Sequence, residues 1–293
     1  MKQATIVSGK GGTGKTTITA SFAALARRVV VADCDVDAAV LHLLLDPQVV
    51  TEQEFKGSRL ASIDTARCVE CGLCQRACRF DAIRGLEIDP VLCEGCGVCA
   101  YVCPVGAISL RERIAGRLYI SETRFGPMSH ARLYATEANS GKLVALVRHE
   151  ARRLADREGL GLILADGPPG IGCPVIASLT GVDIAIIVTE PTMSGFHDLR
   201  RILSLARHFK TTSSVIVNMW DINQENTRRI SQFCEQEGTK VLARIPFDLK
   251  VTEAMVAGKS VVEYSPDSTA SAEIRVAWDG ARDLLGVGSG RRE

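Results

Sequence analysis

The chain has 293 residues, 46% of them hydrophobic and 24% charged, an ordinary composition for a globular protein with a sizeable core. A formal net charge of +1 excludes a strongly basic chain, so we expect no nucleic-acid partner. The first residues show no signal-peptide pattern and the apolar runs are too short to span a bilayer, so we expect a cytoplasmic protein without a membrane anchor.

Short apolar, β-branched runs alternate along the chain with amphipathic stretches of helical length. The predicted strands lie at 3–8, 28–33, 160–166, 183–189, 213–219 and 240–245, and the predicted helices lie at 15–27, 141–157, 195–208, 224–237 and 268–285. Continuously apolar strands are typical of a parallel sheet that helices cover on both faces. The pattern therefore predicts a doubly wound α/β fold with a mostly parallel sheet.

A phosphate-binding loop is predicted directly after the first strand. Residues 9–16, GKGGTGKT, fit the pattern G-x-x-x-x-G-K-[ST] between a predicted strand and a predicted helix. The glycines let backbone N–H groups face phosphate oxygens, Lys15 would reach the β- and γ-phosphates, and Thr16 would bind Mg²⁺. The candidate nucleotide-binding residues here are Gly9, Gly11, Gly12, Thr13, Gly14, Lys15, Thr16 and Thr17.

Residues 58–112 interrupt the strand–helix alternation and repeat themselves. Ile63-Asp64 recurs as Ile88-Asp89, and Cys68 recurs as Cys93, at a constant offset of 25 residues. We therefore predict a small inserted domain at 58–112 within a main domain of 1–57 and 113–293. The later segment 122–142 is only weakly periodic and could be a docking surface or a plain connector.

Eight of the eleven cysteines fall between residues 68 and 103, which favours metal binding over disulfides in a chain without an export signal. Both runs have the spacing C-x₂-C-x₂-C-x₃-C of bacterial two-cluster ferredoxins, in which the fourth cysteine of each run binds the other cluster. The predicted ligand sets are Cys68, Cys71, Cys74 and Cys103 for one 4Fe–4S cluster, and Cys78, Cys93, Cys96 and Cys99 for the second. Zinc is the weaker alternative, because zinc sites usually use two separated pairs.

The additional Lys10 gives the loop KGGTGKT, which resembles the deviant phosphate loop of the MinD/ParA/Mrp and nitrogenase-iron-protein ATPases. In that family the early lysine reaches the nucleotide of a partner subunit. The resemblance thus implies an ATP-sandwiched dimer, either a homodimer or a heterodimer with a related ATPase. It also implies slow, partner-stimulated ATP hydrolysis in which Lys10 and Lys15 take part.

Further segments resemble the switch and base-binding segments of the same family, in the same order. Asp33–Asp37 resembles switch I, which implies that Asp35 orients the attacking water and that Asp33 helps to organise Mg²⁺. The segment 166–170 resembles switch II, which implies Mg²⁺ binding by Asp166 and an N–H from Gly170 to the γ-phosphate. The resemblance also places Asn218, Pro246 and Asp248 at the adenine.

The remaining cysteines, histidines and arginines carry weaker signals. Cys173 stands at the same distance from Asp166 as a cluster-binding cysteine does in the nitrogenase iron protein, so a shared ligand at a dimer face is conceivable. We favour a small buried cysteine there, as for Cys34 and Cys234. Surface positions are expected for His130, His149 and the arginines on the polar side of helix 141–157, namely Arg148, Arg152, Arg153 and Arg157.

The whole chain resembles MinD/Mrp ATPases that contain an inserted α+β ferredoxin domain. The resemblance implies ATP or ADP, Mg²⁺ and two 4Fe–4S clusters as bound groups. The preferred hypothesis is an ATPase that couples its nucleotide state to electron transfer through the clusters to a partner protein. The alternatives are an ATP-dependent scaffold or carrier for metal-cluster assembly, and a MinD-like positioning ATPase with structural clusters.

Overall fold

A computed structural model describes residues 1–134 and 140–287, which divide into two compact units. The first unit comprises the described parts of 1–52, 118–132 and 140–293, and the second those of 53–117 and 133–139. None of the helices in these described ranges is both long and apolar enough for a membrane crossing.

Within the described residues, the six predicted strands and five predicted helices all occur close to their predicted bounds, together with five strands and six short helices that were not predicted. The strands are β1 (Lys2–Ser8), β2 (Val30–Asp33), β3 (Gln48–Ile63), β4 (Ile83–Arg84), β5 (Glu87–Ile88), β6 (Ile108–Thr123), β7 (Gly126–Leu133), β8 (Leu162–Pro169), β9 (Ile184–Thr189), β10 (Thr212–Asn218) and β11 (Lys240–Ile245). The helices are α1 (Lys15–Ala26), α2 (His42–Leu45), α3 (Leu73–Ala77), α4 (Val98–Tyr101), α5 (Ser140–Glu158), α6 (Cys173–Leu179), α7 (Met193–His208), α8 (Gln224–Gln236), α9 (Leu249–Val256), α10 (Val261–Tyr264) and α11 (Thr269–Leu285).

Nine strands form one sheet in the order β11-β10-β9-β1-β8-β2-β7-β6-β3. β1 lies between β8 and β9 and pairs in parallel with both, and β2 and β10 extend the parallel pairing on either side. The predicted α/β fold with a mostly parallel central sheet is thereby confirmed. Because the carboxyl ends of parallel strands share one edge, the loops after β1, β2 and β8 meet there.

Apolar layers cover both faces of the central strands, which explains why β1, β8 and β9 are buried without alternation. Ile6 of β1 joins a core with Phe22 of α1 and Trp278 of α11, whereas its neighbour Val7 joins a core with Leu199 of α7. Successive residues of β1 therefore point into different cores, and both cores must be apolar.

The segment 122–142 is more regular than its sequence indicates. β6 continues to Thr123, and β7 lies next to β2, with Asp33 and His130 as neighbouring residues of the two strands. The expectation of a surface position for His130 is wrong, since its ring stacks on Tyr119 and its Nε2 lies 2.8 Å from Ser121 Oγ. Burial, and then the charge of the nearby His42, lower the pKa of His130 to about 4.

The expectation of a solvated Arg148 is also wrong. Its guanidinium is buried and donates to the carbonyls of Ala177 and Thr180, at 2.6 and 2.7 Å, and to Gln3 Oε1 at 3.1 Å. Arg148 thus satisfies carbonyl groups at the end of α6, which have no partner within that helix.

The second unit shows the sequence repeat as repeated hydrogen bonds. The amide of Asp64 donates to the carbonyl of Ala107 at 2.7 Å, and the equivalent amide of Asp89 donates to the carbonyl of Ala82 at 2.8 Å. The short helices α3 and α4 occupy equivalent positions, and the unit packs around Ala61, Ile83, Cys99 and Ile108. In each half of the repeat, an aspartate amide therefore donates a hydrogen bond to an alanine carbonyl of the other half.

Candidate functional site

The predicted phosphate loop connects β1 to the N-terminus of α1. Gly12 and Gly14 have φ values of +79° and +93°, and a Cβ on Gly14 would lie 2.4 Å from Asn218 Nδ2. The side-chain amide of Asn218 occupies this space and donates through Nδ2 to the carbonyl of Thr13 at 2.9 Å. Glycine is required at position 14 by both conformation and space, and the loop leaves the first amides of α1 without a side-chain cap.

Carboxylates from β2 and β8 lie beside this loop. Asp166 accepts hydrogen bonds from the hydroxyls of Thr16 and Thr19, at 2.7 and 3.0 Å. Asp33 is the neighbour of Asp166 across the two strands, and the amide of Asp35 donates to Asp33 Oδ1 at 3.1 Å. Asp33 Oδ2 is buried and has no hydrogen-bond partner within residues 1–134 and 140–287.

The carboxylates are held in a setting that disfavours their negative charge. Burial raises the pKa of Asp166 to about 6, against the opposing effects of Thr16 and Lys15. Burial, and then the charge of Asp166, raise the pKa of Asp33 well above its ordinary range. Burial also raises the pKa of Asp35, although the charge of Lys15 opposes this. A cation at this position would relieve the repulsion.

The residues fit Mg²⁺ that arrives together with a nucleotide. Taken by themselves, the described residues include no group of three or more His, Cys, Asp or Glu side chains that could hold a metal ion. Mg²⁺ usually binds one or two carboxylates and completes its shell with substrate phosphates and water. The unpartnered oxygen of Asp33, together with Asp166 and Thr16, provides such a partial oxygen set.

A cavity of about 360 Å³ opens next to the loop. It is lined by Asn218, Pro246 and Asp248, the three residues that the sequence places at the adenine, and by Gly12, Gly14, Lys15, Thr16 and Thr17 of the loop. Phe247, which stands between Pro246 and Asp248 in the segment that resembles the base-binding loop, lines the cavity as well. The sequence interpretation missed the other apolar residues of the cavity, which are Val40, Met219, Val251 and Met255.

Lys10 and Gly170 have partners within the protein. Lys10 contacts Glu190, in the loop after β9, and Ser194, in the first turn of α7. The sequence interpretation included neither residue. The N–H of Gly170, predicted to meet the γ-phosphate, donates to the carbonyl of Ser8 at 2.9 Å. Gly9 is confined as well, because a Cβ there would lie 2.1 Å from Asp198 Cβ.

In the second unit, each predicted cysteine set lines a cavity of its own. Cys68, Cys71, Cys74 and Cys103 line a cavity of about 110 Å³, called here the first cysteine cavity. Cys78, Cys93, Cys96 and Cys99 line a smaller one of about 20 Å³, the second cysteine cavity. All eight thiols are free. In each cavity, three cysteines come from one run and the fourth comes from the other run.

The donor chemistry of these cavities fits iron–sulfur clusters better than a single ion. Each iron of a 4Fe–4S cluster takes one cysteine thiolate, so the four sulfurs stand further apart than the ligands of one zinc ion. Backbone amides also face the sulfurs, since Glu70 N lies 3.4 Å from Cys68 Sγ and Ala107 N lies 3.2 Å from Cys103 Sγ.

Comparison with known proteins identifies the larger fold. A family profile described as the CobQ/CobB/MinD/ParA nucleotide binding domain matches residues 4–261. The chain belongs to this family. A relative from Methanocaldococcus jannaschii, the uncharacterized protein MJ0578, is 32% identical over 283 residues and 96% of both chains.

Two further matches lie at greater distance from this CobQ/CobB/MinD/ParA family member. The cytosolic Fe-S cluster assembly factor NBP35 of Eremothecium gossypii is 27% identical over 144 residues, which is 43% of each chain. The structure of the septum site-determining protein MinD from Pyrococcus horikoshii, complexed with Mg-ADP, has a TM-score of 0.61 at 20% identity and covers 99% of both chains. This last likeness concerns the fold.

The three cysteines outside the cavities of this family member differ in exposure. Cys34 and Cys234 are buried as expected, and burial raises the pKa of Cys234 to about 11. Cys173 is exposed at the first position of α6, so the prediction of a buried cysteine there is wrong. The short helix begins directly after the glycine-rich segment 170–172, and its first residue lies on the surface.

Proposed function

We propose that this protein binds and hydrolyses MgATP and couples its nucleotide state to electron transfer, through two 4Fe–4S clusters, to a partner protein. The observation that carries the proposal is the pair of cysteine cavities, each lined by one complete ligand set expected for a two-cluster ferredoxin. When bound, such clusters exchange single electrons. The family supplies the nucleotide-binding half of the proposal.

In this proposal the residues of the phosphate loop divide the work of hydrolysis. The loop amides and Lys15 bind the phosphates, Thr16 and Asp166 hold Mg²⁺, and Asp33 contributes its unpartnered oxygen. Asp35 orients the attacking water, and its raised pKa supports a role in accepting a proton. Lys10 acts at the nucleotide of a second subunit, in a homodimer or in a heterodimer with a related ATPase.

We further propose that residues 58–112 form a ferredoxin-like domain inserted between the two parts of an ATPase domain, 1–57 and 113–293. The equivalent hydrogen bonds of Asp64 and Asp89 support a duplicated unit there. In chain order, Asp33–Asp37 precedes the insert and 166–170 follows it. Nucleotide-dependent ordering of these two segments would therefore act on both chain connections of the cysteine-containing unit.

The test is an anaerobic purification of the full chain, followed by iron and sulfide analysis and redox titration by EPR with and without MgATP. We expect about eight irons per chain. We also expect a change in midpoint potential, or in the rate of electron transfer to an artificial acceptor, on adding MgATP. Lys15→Ala is the matched control, because it should keep the iron and lose the nucleotide effect. A full iron content, with a midpoint potential and an electron-transfer rate that MgATP does not change, would refute the coupling.

A second function, ATP-dependent assembly of a metal cluster in another protein, is favoured by two observations. Part of the chain is similar to an Fe-S cluster assembly factor, and Cys173 is exposed close to the segment 166–170. The experiment that separates the two functions incubates the iron-loaded protein with an apo-ferredoxin. Transfer of intact clusters that needs MgATP and fails with Cys173→Ser would support assembly, whereas retention of iron through many redox cycles supports electron transfer.

A further inference from the structure

The internal repeat places different charges at equivalent positions around the two cysteine cavities. Arg67 and Arg76 of the first run correspond, at the offset of 25 residues, to Leu92 and Tyr101 of the second run. In the opposite sense, Val69 of the first run corresponds to Glu94 of the second. The two halves thus share a fold and a ligand pattern but differ in charge.

Both arginines are tied to the lining of the first cysteine cavity. Arg67 Nη2 donates to the carbonyl of Val105 at 3.1 Å, and Arg76 Nη2 donates to the carbonyl of Cys71 at 3.4 Å. Val105 and Cys71 both line that cavity. Neither guanidinium pairs with a carboxylate among the described residues, so their positive charges stay uncompensated by a direct partner.

Hydrogen bonds to sulfur add to the difference. The amides of Glu70 and Ala107 lie within hydrogen-bonding distance of Cys68 Sγ and Cys103 Sγ in the first set, whereas Cys99 of the second set has the backbone amide of Ala100. The second cavity is lined by the carboxylate-bearing Glu94. Positive charge and hydrogen bonds to the sulfurs stabilise the more negative, reduced form of a cluster, and negative charge destabilises it.

Two residues act in the opposite direction. The carboxylate of Glu70 lines the first cavity, and Arg79 lies 5.6 Å from the ring centroid of Phe80, which lines the second. Glu70 opposes two arginines and offers its own amide to Cys68. Among the charged residues that line a cavity or donate to its lining, the first cavity has two arginines and one glutamate, and the second cavity has one glutamate.

We propose that Arg67 and Arg76, with the amides of Glu70 and Ala107, give the first cysteine set the higher reduction potential of the two. The inference rests on the proposed function, since it concerns the clusters that the two cavities are proposed to hold. A single electron then occupies the cluster of the first set at least ten times as often as the cluster of the second set. This ratio corresponds to a difference in midpoint potential of about 59 mV for a one-electron couple.

The experiment is an anaerobic redox titration of the full chain by EPR, using variants that exchange equivalent positions of the repeat. The double variant Arg67→Leu, Arg76→Tyr should lower only the higher of the two midpoint potentials. The tenfold preference of the electron for the first set should then fall to less than about threefold. Glu94→Val should raise the lower midpoint alone. Arg111→Leu, at an exposed position of β6 that lines neither cavity, is the control and should change neither midpoint.

Different results separate the two levels of the proposal. Wild-type protein without iron would refute the proposed clusters and this inference with them. Two clusters with equal midpoints, or a double arginine variant that shifts the lower midpoint or neither, would overturn the inference alone. Iron content of each variant, measured beside the titration, shows whether a changed signal reflects a shifted potential or a lost cluster.

Discussion

Lys10 Nζ lies 2.5 Å from Glu190 Oε1 and 3.1 Å from Ser194 Oγ, so the additional lysine of the phosphate loop is held by the segment after β9. Glu190 is the more buried partner, with 14% of its side chain exposed against 34% for Lys10. Thr192 Oγ1 also donates to Glu190 Oε1 at 3.1 Å, which fixes the carboxylate. If Lys10 acts at the nucleotide of a second subunit, as proposed, the triphosphate there would have to displace this carboxylate.

We therefore expect Glu190→Gln to strengthen MgATP binding. The glutamine keeps the size of the side chain and removes the competing charge, and a partly exposed ion pair contributes about 1 kcal/mol or less, so the dissociation constant should fall about two- to fivefold. Isothermal titration calorimetry measures this. Glu150→Gln, which removes an exposed pair with Arg153 on α5, is the control. Unchanged or weaker binding by Glu190→Gln would contradict the competition.

Asp166→Asn tests whether this carboxylate holds Mg²⁺. Asparagine can accept from one of the two threonine hydroxyls through Oδ1 and donate to the other through Nδ2, so the fold of the loop should be kept. We expect the Mg²⁺-dependent part of the ATP affinity to fall about 10- to 100-fold, with ATP binding in EDTA unchanged. Asp156→Asn on the exposed side of α5 should change neither value. Equal losses with and without Mg²⁺ would instead indicate a damaged loop.

The same residue predicts a pH dependence of the metal-free protein. Burial raises the pKa of Asp166 from its usual 3.8 to about 6, so the folded state binds the proton more tightly than the unfolded state does. This contribution to the free energy of unfolding is fully present below pH 3.8 and is lost as the pH rises through about 6. Asp166→Asn should remove this pH-dependent difference, which amounts to about 3 kcal/mol at most. Denaturant unfolding of the wild-type protein and of Asp166→Asn from pH 4 to 7, without Mg²⁺, measures this difference. Free energies of unfolding that change with pH in parallel in the two proteins would contradict the prediction.

The central sheet was predictable because both of its faces are buried. β1, β8, β9 and β10 are buried along most of their length, and each lies within a few residues of its predicted bounds. β7 escaped prediction because its inner residues include the buried Ser129 and the half-buried His130, and the latter is satisfied by hydrogen bonding and stacking rather than by apolar contact. A period-based interpretation detects apolar faces and does not detect such polar ones.

The candidate sites show a similar division. The glycines and Lys15 follow from a local pattern, and the two cysteine sets follow from spacing and from the crossed ligation of ferredoxins. Glu190 could not be predicted, because its link to Lys10 depends on the neighbouring positions of β1 and β9 in the sheet. Exposure of Cys173 likewise depends on how α6 begins, which the sequence alone does not fix.

Cys71→Ser and Cys96→Ser test the assignment of the cysteine sets. The two residues are equivalent in the repeat, both are exposed, and each lines one cavity. Each substitution should remove one cluster and lower the iron content from about eight to about four per chain. Cys173→Ser, also exposed but outside both cavities, should keep the full iron content. Loss of all iron from either single variant would show that the sets are not independent.

Arg148→Met tests the buried arginine that the sequence did not predict. Methionine keeps an apolar stem of similar length but leaves the carbonyls of Ala177 and Thr180 without their donor. Buried acceptors that lose a charged donor cost about 1–3 kcal/mol, so the free energy of unfolding should fall by about that amount. Arg153→Met on the same helix removes only a surface pair with Glu150 and should cost less than about 0.5 kcal/mol. Because α6 directly follows the segment 166–172, Arg148→Met should also weaken MgATP binding. Equal effects of the two variants on the free energy of unfolding would show that the contacts of Arg148 contribute no more than a surface charge.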